Sequence, residues 1–101
     1  MNIEKTLKDG KLILAVDGRL DVITAPQFQE TLIPAFDEAK EIVLDLAKLD
    51  YVSSAGLRVL LMGQKTATAK DASMTVVNVS EEIMEVLDMT GFTDMLTILA
   101  T

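Results

Sequence analysis

The chain switches repeatedly between two hydrophobic patterns, and the order of switching predicts an α/β fold. Asn2 to Leu7 and Lys11 to Val16 read as extended runs on either side of Asp9-Gly10, a tight-turn dipeptide. The second run, L-I-L-A-V, is continuously apolar, the pattern of a strand buried on both faces. A short loop, G-R-L-D-V-I, follows. Thr24 ahead of Ala25 and Pro26 then reads as a helix cap with proline in the first turn. This first helix is expected from about Ala25 to Ala39, with Phe28, Leu32 and Phe36 as its buried stripe. Pro34 lacks an N–H and its ring crowds the preceding turn, so a kink or break is expected near Leu32 to Pro34.

Glu41 to Leu46 is a short β-branched strand, and Ala47 to Val52 reads as a connector. A second helix should run from about Ala55 to Lys70, followed by a strand from Ser73 to Val79. Ser80 before Glu81 and Glu82 opens a third helix to about Met89, Gly91 ends it in a left-handed conformation, and Thr93 to Leu99 forms a last strand. The order is β-β-α-β-α-β-α-β. It implies a single-domain mixed sheet over residues 1–101: an opening hairpin, then parallel strands joined by right-handed crossovers, with three or four helices.

Composition changes this picture by exclusion. The 101 residues contain no histidine and no cysteine, which leaves no Ser-His-Asp triad, thiol nucleophile or ordinary zinc site. The glycines are scattered and form no phosphate-binding loop, and no carboxylates have calcium-loop spacing, so no cofactor or metal is expected. A net charge of −7 is repelled by nucleic acid and by anionic membrane surfaces. The N-terminus has no signal-peptide pattern and no apolar stretch reaches ~20 residues, so a cytoplasmic protein without membrane insertion is expected. A binding or regulatory module fits better than an enzyme.

The chemistry-bearing stretch is Tyr51 to Leu61, Y-V-S-S-A-G-L-R-V-L-L. Two serines stand between a strand pattern and a helix pattern, where a serine either caps the helix or offers a hydroxyl at the positive end of the helix dipole. On the helix, Leu57, Leu60, Leu61 and Gln64 form a core stripe. Val59 and Met62 fall off that stripe, and Arg58 is the only charge before Lys65. The helix is therefore either covered by its neighbours or presents an apolar partner-binding face beside the serines.

Three segments together resemble the STAS domain, in particular bacterial anti-sigma factor antagonists. G-R-L-D-V-I-T-A (Gly18 to Ala25) is similar to the family's G-x-L-D-x-x-T-A loop, and Ser54, Gly56 and Leu57 match its D-S-x-G-L signature. L-D-M-T-G-F (Leu87 to Phe92) is similar to its L-x-x-[ST]-G-[LF] segment. The resemblance implies a non-enzymatic switch. In the family a GHKL-type serine kinase, itself the anti-sigma factor, phosphorylates the motif serine, and a PP2C-type phosphatase reverses this. The unphosphorylated antagonist binds the kinase and frees the sigma factor. Carried over, the phosphoacceptor is Ser54, and Ser53 stands where the family has aspartate. The expected partner surface comprises Asp21, Thr24, Ser53, Gly56, Arg58, Val59 and Met62, with the amides capped by Ser54 also receiving its phosphate. The alternative is a STAS subunit that clamps an ABC-type ATPase in lipid transport, where Ser54 is only a cap.

Overall fold

The computed structural model describes residues 1–99. Strands β1 (Asn2–Lys8) and β2 (Lys11–Leu20) form the expected hairpin, with Asp9 and Gly10 at φ 53° and 79°. Then come α1 (Ala25–Ala35), β3 (Glu41–Val52), α2 (Ser54–Ala69), β4 (Ser73–Val77), α3 (Glu81–Met89), a 3-10 turn at Phe92–Asp94, and β5 (Thr97–Leu99). The sheet order is β1-β2-β3-β4-β5, antiparallel at the first pair and parallel at every later one. This is the mixed single sheet that the alternating pattern predicts.

Strand register decides where the core lies. Leu12 and Leu14 pair with Ile42 and Leu44, which pair with Met74 and Val76, and all six are buried. Paired residues share a face, so these rows form one continuous apolar surface. Phe28 and Leu32 of α1, Leu57 and Leu60 of α2, and Ile83 and Leu87 of α3 join the same buried cluster. The opposite face carries Ile13, Ala15, Val43, Asp45, Thr75 and Val77, which are half-buried and outside that cluster. The run L-I-L-A-V is therefore buried on one face, not two: Ile13 and Ala15 are apolar residues of the uncovered side.

Two strands run further than their patterns suggest. β2 continues through Gly18 to Leu20, and Ala47 to Val52 continues β3 rather than connecting it to α2. The extensions pair with each other after register shifts between Ala15 and Asp17 and between Gly18 and Arg19. Gly18 has φ 113°, a conformation that glycine adopts without a Cβ penalty, and bulges of this kind let a polar, glycine-containing stretch remain in a sheet. This overturns the loop reading of Gly18 to Leu20 and lengthens the site-bearing end of the sheet.

The helices depart from expectation less. α1 is continuous through Leu32 to Pro34 and stops after Ala35, four residues short of the expected Ala39, so the proline sits in its last turn. Beyond it, Asp37 and Glu38 donate to the carbonyls of Pro34 and Ala35, and the chain unwinds in turns before β3. Ser80 caps α3 as expected, its Oγ accepting from the Ile83 N–H at 3.2 Å. Gly91 takes φ 80° just beyond that helix. β4 ends at Val77, where Asn78 turns to φ 56°, and the last expected strand is split into the 3-10 turn and a short β5.

Candidate protein-binding site

The extended ends of β2 and β3 bring the two motif segments together. The Ser53 N–H donates to the Leu20 carbonyl at 2.9 Å, joining the start of α2 to the loop after β2. Ser53 is the residue that caps α2: its backbone is extended, and its Oγ accepts from the Gly56 N–H at 3.5 Å. Ser54 is the first helical residue, exposed, and its hydroxyl has no hydrogen-bond partner among the described residues. The expectation that Ser54 caps the helix is thus corrected. Serine and aspartate are comparable caps, so Ser53 preserves the turn at the position where the resembled motif carries aspartate.

Gly56 is buried, and its role in the structure is close approach. A Cβ built there would lie 2.6 Å from Leu20 Cγ and 3.0 Å from the Leu20 carbonyl oxygen. A side chain would push α2 off the end of β2, so Gly56 shapes the site from beneath and is not on its surface.

The second segment is a self-bonded loop. Asp21 Oδ1 accepts the N–H groups of Ile23 and Thr24 at 3.0 and 3.1 Å, and the Asp21 carbonyl accepts from Ala25 at 2.8 Å. Thr24 was expected to cap α1 through its side chain, but its Oγ1 instead accepts from the Asp21 N–H at 2.9 Å and donates to the Arg19 carbonyl at 2.8 Å. Asp21 therefore satisfies the amides of the turn that leads into α1. Its carboxyl is held below the ordinary aspartate value of 3.8, chiefly by the Thr24 N–H. Partial desolvation opposes this, while the Ile23 N–H, the Thr24 hydroxyl and the nearby Arg19 add to it. Arg19 Nε lies 3.7 Å from Asp21 Oδ2, and the guanidinium carbon stands 4.3 Å over the ring of Tyr51.

This bonding turns Val22 and Ile23 outward, 73% and 83% exposed. Neither was singled out from the sequence, nor were Arg19 and Tyr51, which stack on each other. The available signal was two adjacent large apolar residues in a loop bracketed by Asp21 and Thr24, where no core pattern calls for them.

Along α2, Ser54, Arg58 and Met62 are four residues apart and share one side of the helix. Arg58 is exposed and Met62 half-buried. Val59 does not belong with them: it is 3% exposed, on the inward side with Gly56, Leu60 and Gly63, and its place on a partner surface is withdrawn. Leu61, by contrast, leaves the core stripe and is half-buried.

The assembled surface is the Ser54 hydroxyl, two arginines (Arg19 and Arg58) and a projecting apolar loop. Concavities of about 810 and 410 Å³ elsewhere in the molecule are lined by none of these residues. Among the described residues no group of three metal-ligating side chains exists, and no helix is long and apolar enough to cross a membrane. Such a surface is suited to docking against another protein.

Comparison with known proteins gives the same class. A family model described as "STAS domain" matches residues 2–101, and the chain belongs to that family. The anti-sigma-B factor antagonist of Staphylococcus epidermidis is 32% identical over 97 residues, covering 95% of this chain and 90% of that protein. The same-named protein of Staphylococcus aureus strain NCTC 8325 is 31% identical over the same coverage. Among solved structures, an anti-sigma-factor antagonist (STAS) domain protein from Planctomyces limnophilus superposes with a TM-score of 0.87 at 20% identity, over 98% of this chain and 90% of that one. The unphosphorylated anti-sigma factor antagonist SpoIIAA gives 0.76 at 14% identity, over 99% and 89%. These structural likenesses establish the fold; the family match and the staphylococcal relatives make the chain a non-enzymatic regulatory domain.

Proposed function

We propose that this protein is a phosphorylation-controlled anti-sigma factor antagonist. Its unphosphorylated form binds an anti-sigma factor that is a GHKL-type serine kinase, sequestering it and freeing a sigma factor. Phosphorylation of Ser54 ends the complex, and a PP2C-type phosphatase restores it. The observation that carries this reading is the division of labour between the serines. Ser53 is committed to the cap and to Leu20, while Ser54 presents a free hydroxyl at the start of α2, joined through Leu20 to the Val22-Ile23 loop.

The switch needs no rearrangement of the fold. A phosphoryl group on Ser54 would carry about −1.5 to −2 charges into the first turn of α2, where the helix dipole favours an anion. Arg58, one turn on, lies on the same side and would be drawn to it. The partner would then face a hydrated dianion and an engaged arginine in place of an uncharged hydroxyl and a free arginine. A loss of ~3 kcal/mol is enough to weaken binding more than a hundredfold.

The test is capture of partners from the source cell with wild type, Ser54→Ala and Ser54→Asp. The reading expects a GHKL-type kinase with wild type and Ser54→Ala and not with Ser54→Asp. Recovery of an ABC-type ATPase with all three would support the transport-subunit alternative instead.

A further inference from the structure

The free edge of β1 is self-complementary in charge at one register, and we propose that it pairs with β1 of a second copy to form an antiparallel two-fold dimer centred on Thr6. β1 is a seven-residue edge strand, with β2 on one side and, among the described residues, no strand on the other. The two-residue turn at Asp9-Gly10 closes on the Lys8–Lys11 pair. In such a hairpin the closing pair is hydrogen-bonded, and bonding alternates along the ladder. Lys8, Thr6, Glu4 and Asn2 thus point their amides at β2, and those of Ile3, Lys5 and Leu7 face outward. A two-fold at Thr6 sets Lys5 opposite Leu7 of the other copy, and the reverse, aligning the outward amides and carbonyls of both.

Side chains select that register. Residues directly opposed across an antiparallel pair share a face, so the two-fold must pass through a residue position. Centring on Thr6 places Glu4 opposite Lys8 of the second copy twice over, with the two threonines face to face between them. Centring on Glu4 or on Lys5 instead places like charges opposite each other, which destabilises pairing. Centring on Leu7 leaves only Thr6 to Lys8 in the strand overlap.

Within one protomer these same charges have no partner. Glu4 lies opposite Ala15, and Lys8 lies opposite another lysine, Lys11, whose carboxylate neighbour at 3.9 Å is Glu41. Neither Glu4 nor Lys8 forms an ion pair among the described residues, whereas Lys5 is bonded to Glu38 at 2.8 Å and so held on the helix side. Leu7, 68% exposed on that side, would gain cover from the stem of the opposing Lys5. Edge lysines commonly keep strands apart. Here the lysine is matched by a glutamate in the register centred on Thr6. The dimer would be a ten-stranded sheet with the two serine loops at opposite ends, because β1 and its copy run antiparallel, so it would not cover the Ser54 surface.

Two measurements test this with the full chain. Sedimentation velocity across a concentration series should show a monomer–dimer equilibrium for wild type, weakened by about tenfold in Glu4→Lys and in Lys8→Glu and recovered in the double exchange Glu4→Lys/Lys8→Glu. The chain has no cysteine, so single cysteines report register directly. Thr6→Cys, which faces itself at the ~4.5 Å Cα spacing of a non-hydrogen-bonded pair, should oxidise to a covalent dimer much faster than Asn2→Cys. A wild type that stays monomeric at millimolar concentration overturns the proposal. So does a dimer indifferent to the charge exchanges, or equal crosslinking of the two cysteine variants. Should either charge variant unfold, the cysteine pair decides alone.

Discussion

The N–H of Ser53 donates to the carbonyl of Leu20 at 2.9 Å, although 33 positions separate them in the chain. Through this bond the cap of α2 and the loop after β2 become one surface. Gly56 sits directly behind it, where any side chain would collide with Leu20.

Gly56→Ala is therefore expected to destabilise the fold by about 1–3 kcal/mol, the usual cost of overpacking. Shortening Leu20 to Ala opens a cavity and should itself cost about 2–5 kcal/mol. Because the two changes share one contact, the double variant should cost less than their sum, as measured by urea denaturation. Strict additivity would mean that Gly56 and Leu20 are not coupled.

Val59 and Arg58 are neighbours in sequence with opposite roles. Val59→Ala should lose about 1.5–3 kcal/mol of stability through lost burial. Arg58→Ala should change stability by less than about 0.5 kcal/mol, as exposed positions usually do. Partner affinity should respond in the reverse order. A thermal melt and a binding titration on the same two variants separate core from surface.

Ile23→Ala should leave the melting temperature unchanged, since the side chain is 83% exposed, and weaken the partner complex by about tenfold or more, as loss of an apolar anchor does. Equal affinity for wild type and variant in isothermal calorimetry would remove the loop from the interface.

Asp21 gives the fold a defined response to acid. Its folded pKa is lowered, so its ionised form binds the turn amides more strongly than water does. That stabilisation is fully present above the unfolded aspartate value near 3.8 and is lost as pH falls through the lower folded value. Asp21→Asn keeps an oxygen acceptor and removes the charge. The stability difference between wild type and this variant should be constant near neutrality and shrink below about pH 4. A difference that grows on acidification would contradict the assignment.

Much of this was legible in the sequence for identifiable reasons. The element order followed from periodicity, the opening turn from Asp9-Gly10, and the α3 boundaries from Ser80 and Gly91, each of which acts locally. The strand extensions were hidden because Gly18 and the charges around it resemble a loop, and only pairing with Lys48 to Val52 keeps them in the sheet. Val59 was misplaced because helical position alone does not say how wide the covered arc is. α2 packs against α1, β3 and β4, and buries Gly56, Leu57, Val59, Leu60, Gly63 and Ala67 as one broad face. Val22 and Ile23 point outward only because Asp21 and Thr24 bond the loop into that shape.

The central claim is that Ser54, and not Ser53, is the phosphoacceptor of the switch. The most direct measurement is peptide-resolved mass spectrometry of the protein after incubation with ATP and the GHKL-type kinase proposed as its partner. A single phosphate on Ser54, retained in Ser53→Ala and absent from Ser54→Ala, is the predicted result. Phosphate on Ser53, or transfer to Ser54→Ala at the wild-type rate, would contradict it.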